Sequence, residues 1–121
     1  MRKLSSTNNE NLKAFTTGCP ITSTFEMIGG RWKIIIIWHL KDGPLRYNQL
    51  KKSISNISEK MLTQQLKALI NDGWVIRRDF KEIPPKTDYS LTDFGSSFIP
   101  ILHNINEWGI AHEVVDRAVN K

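Results

Sequence analysis

The chain has 121 residues, 40% of them hydrophobic, with a formal net charge of +5 and a pI near 9.5. That length closes one compact core but not two ordinary domains, and the basic balance favours polyanionic partners, nucleic acid ahead of an acidic membrane surface. The single cysteine, Cys19, excludes an intrachain disulfide and a thiolate metal cluster.

The opening MRKLSSTNNE lacks an apolar h-region and does not read as a secretory signal. The longest apolar run, Ile34 to Trp38, falls far short of the ~20 residues that span a bilayer, so a soluble, cytoplasmic protein without membrane contact is expected. Residues 1–17 are polar and read as a flexible arm before a single domain over 18–121. From Pro20 the chain turns apolar. Thr22 or Ser23 is placed to cap a short helix carrying Phe25 and Ile28, which Gly29-Gly30 interrupts. A second helix is expected over about 31–41. Its IIIIW run is apolar all round, the mark of a central buried helix, and Asp42-Gly43-Pro44 stops it.

In LRYNQLKKSI, Tyr47, Leu50 and Ile54 form a helical stripe. Ser55-Asn56-Ile57 connects it to a further helix that Ser58 opens as N-cap, with Glu59 in the first turn, and that Asn71-Asp72-Gly73 ends. The period then changes to two. WVIRRDF places Trp74, Ile76 and Phe80 on one side and Val75, Arg77 and Asp79 on the other, while in TDYSL Thr87, Tyr89 and Leu91 share a side. KEIPPK between them makes a stiff hairpin tip. Thr92 caps a last helix carrying Phe94, Phe98, Ile101, Leu102, Ile105 and Trp108, which Pro100 should bend. The order predicts a mainly α protein with a small β-hairpin (α+β). It is a winged helix-turn-helix, with the helix pair at about 47–72, the wing at about 74–91 and the C-terminal helix at about 93–115.

On the helix after Ser58, Leu62, Leu66 and Leu69 share one face. The opposite face carries Lys60, Gln64 and Lys67, with Asn71 a turn further on, Thr63 at its border and no carboxylate after Glu59. In a winged helix-turn-helix that face lies in the major groove of DNA, where a carboxylate would meet the phosphate field. Gln64 suits a bidentate contact to adenine, Lys60 or Lys67 a guanine edge or phosphate, and the Thr63 methyl a thymine. Ser58 and Met61, in the same first turns, join them as candidate DNA contacts. Residues 31–86 hold twelve basic and five acidic side chains, a balance of +7 that leaves −2 for the rest of the chain. Lys81 and Lys86 flank the hairpin tip, placed for phosphate or the minor groove. Arg77 and Arg78 suit either phosphate contact or pairing with Asp79 or Asp88.

Catalysis is not expected. His39, His103 and His112 lack metal-ligand spacing, and the chain has no Gly-rich phosphate loop, HExxH or GxSxG. No catalytic residue, metal or cofactor is assigned. The rival reading is a winged helix for protein or RNA contacts without operator specificity, a use that usually loses the basic groove-facing side chains. A small-molecule pocket among Trp32, Trp38, Phe98 and Trp108 is a possible addition, although these aromatics read first as core.

Several motifs together resemble the HxlR-type winged helix-turn-helix transcription regulators, relatives of the MarR type. They are Cys19-Pro20, IGGRW (28–32), DGPLRYNQL (42–50), ISEKMLTQQLKAL (57–69), DGWVIRRDF (72–80), IPPKTDYSLTDFG (83–95) and EWG (107–109). The resemblance covers about 19–108. It implies a homodimer on an inverted-repeat operator, repressing or activating, with N- and C-terminal helices forming the dimer interface. Phe25, Phe98, Ile101, Ile105, Trp108 and Ile110 would then serve that interface, and the two recognition helices would stand about 34–36 Å apart. In several members of the family a cysteine at the Cys-Pro position senses oxidants or small electrophiles, a role the resemblance extends to Cys19. Its place before a helix N-terminus favours the thiolate. Some relatives use further cysteines towards the C-terminus, and this chain has none.

Overall fold

The computed structural model describes residues 18–119, so the arm expected over 1–17 lies outside the described residues. The elements run α1 (Pro20–Ile28), α2 (Trp32–His39), β1 (Leu45–Arg46), α3 (Tyr47–Ser53), α4 (Glu59–Asn71), β2 (Val75–Phe80), β3 (Lys86–Leu91), α5 (Asp93–Ser97), α6 (Ile99–Ala111) and α7 (Val114–Val119).

Helix α1 starts earlier than Thr22 or Ser23 would set it. Pro20 occupies the first turn, where its missing N–H costs nothing, and Cys19 is the N-cap residue. Helix α2 is central, but it is not buried all round. Ile36 and Ile37 are buried, whereas Ile34, Ile35 and Trp38 are only half-buried.

Helices α3 and α4 make the expected pair. Ile54 and Ile57, on either side of the turn, are buried with Leu50, Leu62, Leu66 and Leu69. Between them Asn56 takes φ 68°, a left-handed conformation that asparagine tolerates better than most residues. Ser58 Oγ accepts the Met61 N–H at 3.0 Å, the expected N-cap. At the far end Gly73 (φ 84°) closes a Schellman motif. The Trp74 N–H donates to the Leu69 carbonyl at 2.9 Å and the Gly73 N–H to the Ile70 carbonyl at 3.1 Å. This turn buries Trp74, whose ring meets Phe94 and Phe98, and launches β2.

The sheet has three antiparallel strands in the order β1-β3-β2. The short strand β1 was not foreseen, since two residues are too few to show a period. It pairs Leu45 with Tyr89 and Arg46 with Asp88, tying the start of α3 to the hairpin. In β2 the expected apolar side is corrected. Val75 is buried and Ile76 is 44% exposed, because Trp74 belongs to the turn and its burial does not set the strand's phase.

Thr92 caps α5 by accepting the Gly95 N–H at 2.9 Å, and its hydroxyl donates to the Gly73 carbonyl at 2.6 Å. The helix expected over about 93–115 is three helices. Pro100 lies in the first turn of α6, so the chain breaks at Phe98 rather than bending through it. Glu113 at φ 54° separates α6 from α7. The α3–α4 pair with the three-stranded sheet beside it makes the architecture a winged helix-turn-helix. Among the described residues no helix is long and apolar enough to cross a membrane.

Candidate nucleic-acid interface

Burial of Leu62, Leu66 and Leu69 fixes the roll of α4 and turns its other face outward. Lys60, Thr63, Gln64, Lys67 and Asn71 are all exposed there, with no acid beyond Glu59 in the first turn. Ser58 is exposed at the N-cap, with its hydroxyl holding the Met61 N–H. Met61 is half-buried against the core, and its sulfur accepts from Gln65 Nε2 at 3.5 Å, so it faces the core more than the solvent.

Thr63 has a partner that chain spacing did not reveal. The Tyr47 hydroxyl lies 3.0 Å from both the Glu59 carbonyl oxygen and Thr63 Oγ1. Tyr47 is separated from these residues by 12 and 16 positions, so only the packing of α3 on α4 brings them together.

On the wing, Arg77 and Lys81 are exposed and Lys86 is half-buried. Arg77 Nε donates to Asp79 Oδ1 at 3.1 Å, and Thr87 Oγ1 donates to the same oxygen at 2.7 Å. The Thr87 hydrogen bond, helped by the Arg77 charge, holds the Asp79 carboxyl below its ordinary range. Arg78 grips the buried Asp88 with two bonds, Nε to Oδ1 at 3.0 Å and Nη2 to Oδ2 at 3.2 Å. Both arginines therefore take the pairing that their spacing allowed. Lys86 Nζ stands 4.8 Å from the Phe80 ring centre and the Arg78 guanidinium 5.3 Å from it. The strand positions are thus braced by ion pairs and ring contacts, with Lys81 projecting at the tip.

The residues assigned to self-association divide. Phe25 on α1 and Ile101, Ile105, Trp108 and Ile110 on α6 are exposed, as are Ile21 and the α7 side chains Val115 and Val119. Phe98 is placed otherwise. It is half-buried, with its ring 5.5 Å from Trp74 in an edge contact, because the break before α6 turns it inward. A groove of about 420 Å³ lies between α2 and α6, lined by Ile34, Ile35, Trp38, His39, Leu102, Ile105 and Asn106. Of the four aromatics considered for a pocket, only Trp38 contributes to it. His39 lies in this groove, where burial and then the Lys41 charge lower its pKa. His103 packs edge-on against Trp38 and His112 stacks on Trp108, so the histidines are spread along the helices.

Cys19 is partly exposed, with Sγ 3.0 Å from Thr22 Oγ1. The Thr22 hydroxyl first, then the Thr22 backbone N–H, lowers the thiol's pKa against the opposing effect of partial burial.

The family described as HxlR-like helix-turn-helix matches residues 27–117. YdeP, an HTH-type transcriptional regulator of Bacillus subtilis (strain 168), is 44% identical over 92 residues, which cover 76% of this chain and 72% of YdeP. The redox regulator HypR in its oxidized form superposes with a TM-score of 0.72 at 42% identity, covering 77% of this chain and 96% of HypR. The reduced transcriptional regulator YodB from B. subtilis gives a TM-score of 0.68 at 36% identity, covering 75% of this chain and 90% of YodB. With a buried leucine face, an acid-free outer face and a braced wing on the same chain as these likenesses, this protein belongs to the HxlR-like helix-turn-helix family and is a transcriptional regulator of the helix-turn-helix type.

Proposed function

We propose that this regulator binds an inverted-repeat operator as a homodimer, reads base edges with α4, and responds to oxidants or small electrophiles through Cys19. The observation that carries the reading is the outer face of α4. Lys60, Thr63, Gln64 and Lys67 are exposed together on a helix whose other face is locked into the core. Lysine and glutamine at that position supply phosphate and base-edge donors, and the wing residues Arg77, Lys81 and Lys86 add phosphate contacts beside it.

The exposed apolar side chains of α1, α6 and α7 support self-association, since a monomer would leave Phe25, Ile105 and Trp108 in water. Cys19 is accessible and carries a lowered pKa, the two properties that select a cysteine for oxidation or alkylation. The chain's likeness to HypR, a redox regulator, points the same way.

The test is fluorescence anisotropy against the chain's own upstream DNA and a scrambled duplex, in about 150 mM salt, where specific regulators favour their site by ~10³-fold or more. Preference of that order is expected, and diamide or a quinone should change it. Cys19→Ser should keep the preference and lose the response. Equal binding to both duplexes counts against this operator, and no binding even at low salt would leave a protein-interaction module as the better reading. An undiminished response in Cys19→Ser would remove Cys19 from the mechanism.

A further inference from the structure

Threonine in a helix divides between two rotamers, because its hydroxyl can turn back to the carbonyl four residues earlier. For Thr63 that carbonyl belongs to Glu59, and the Tyr47 hydroxyl stands at it, 3.0 Å away. Tyrosine has one hydroxyl proton. With that proton donated to Glu59, the 3.0 Å contact between Tyr47 and Thr63 requires Thr63 to donate and Tyr47 to accept. The Thr63 hydroxyl is thereby turned towards α3 and satisfied, and one rotamer is selected.

The choice matters for reading bases. A free hydroxyl bonds donors and acceptors alike and discriminates little, whereas a methyl favours the thymine C5-methyl. We infer that Tyr47 is a specificity-determining positioning residue that holds Thr63 so that it reads a thymine methyl. The inference rests on the DNA-binding reading of α4. The half-buried Tyr47 ring packs against the core, which braces the side chain that delivers its hydroxyl.

The test titrates the wild-type protein, Y47F, T63S, T63V and the Y47F/T63V double variant against a duplex enriched from a random library by the wild type. Each dT in turn is replaced by deoxyuridine, which removes only the methyl. One position per half-site should cost the wild type about fourfold in affinity, the equivalent of one buried methyl at ~0.8 kcal/mol, and should cost Y47F less than about twofold. T63S should lose the discrimination, and Y47F/T63V should regain it, because valine presents carbon in either rotamer. In the free protein the Thr63 Hα–Hβ coupling should report one rotamer in the wild type and an average in Y47F.

A purely structural Tyr47 would lower the melting temperature of Y47F and leave its discrimination intact, which overturns the inference. So does a wild type indifferent to every deoxyuridine, or an unchanged coupling in Y47F. Failure to enrich any duplex would instead overturn the DNA-binding reading, and this inference with it.

Discussion

Replacing Gly95 by alanine sets two effects of one methyl group against each other. In a helix, alanine is favoured over glycine by ~1 kcal/mol. At Gly95, however, a Cβ would overlap the Trp74 carbonyl oxygen and come within 3.2 Å of its carbon and 3.3 Å of Leu91 Cδ2. Backbone cannot rotate aside as a side chain can. Helix α5 would have to move away from the turn that the Thr92 hydroxyl and the Thr92 N–H bind at Gly73 and Trp74, the latter at 3.1 Å. Overpacking costs about 1–3 kcal/mol, and an overlap with backbone belongs at or above the upper end, so the net loss is about 2 kcal/mol. For a chain of this size that lowers Tm by about 8 °C. Gly109→Ala provides the contrast, because among the described residues its Cβ meets only Val114 Cβ at 4.0 Å and the helix gain of about 0.5–1 kcal/mol should stand. Thermal melts followed by circular dichroism at one protein concentration compare the two. A Gly95→Ala protein as stable as the wild type would refute the close approach of α5 to the wing turn.

Ser58→Ala removes the cap on the Met61 N–H and should cost about 1 kcal/mol, while Ser58→Asp should retain most of it; denaturant titration separates them. Asp79, whose pKa is depressed chiefly by Thr87, contributes stability above the ordinary carboxylate range that is lost as pH falls through its own lower value. Asp79→Asn should therefore show a shallower fall of Tm on acidification than the wild type, and parallel curves would count against the hydrogen bond. Ile105→Glu and Trp108→Glu place charge on the apolar face of α6 and should give a monomer of 13.9 kDa by light scattering at micromolar concentration. A persistent dimer would locate the interface elsewhere.

Much of the candidate nucleic-acid interface was legible because local chemistry determines it. The Ser58 cap, the Gly73 stop and the leucines at 62, 66 and 69 are sequence-local, and together they specify both the extent of α4 and which side faces out. Arg78 with Asp88 was legible only as an option, since the register of β2 against β3 decides the partner. The Tyr47–Thr63 contact was not legible at all, because no periodic signal links residues on two helices whose crossing sets their distance.

The sequence by itself determined the helix pair, the hairpin and the basic outer face, through periods of 3.6 and two, caps and breakers. Only the tertiary structure decided four other features. β1 forms because a neighbouring strand offers it hydrogen bonds; Val75 rather than Ile76 faces the core, although Trp74 in the turn before it is buried too. Phe98 turns inward onto Trp74 where the helix restarts at Ile99, and Thr63 is held because α3 packs where it does. The strand β1 and the Thr63 contact depend on groups far apart in the chain, and such groups acquire a mutual distance only when the core closes around Leu50, Leu62 and Trp74.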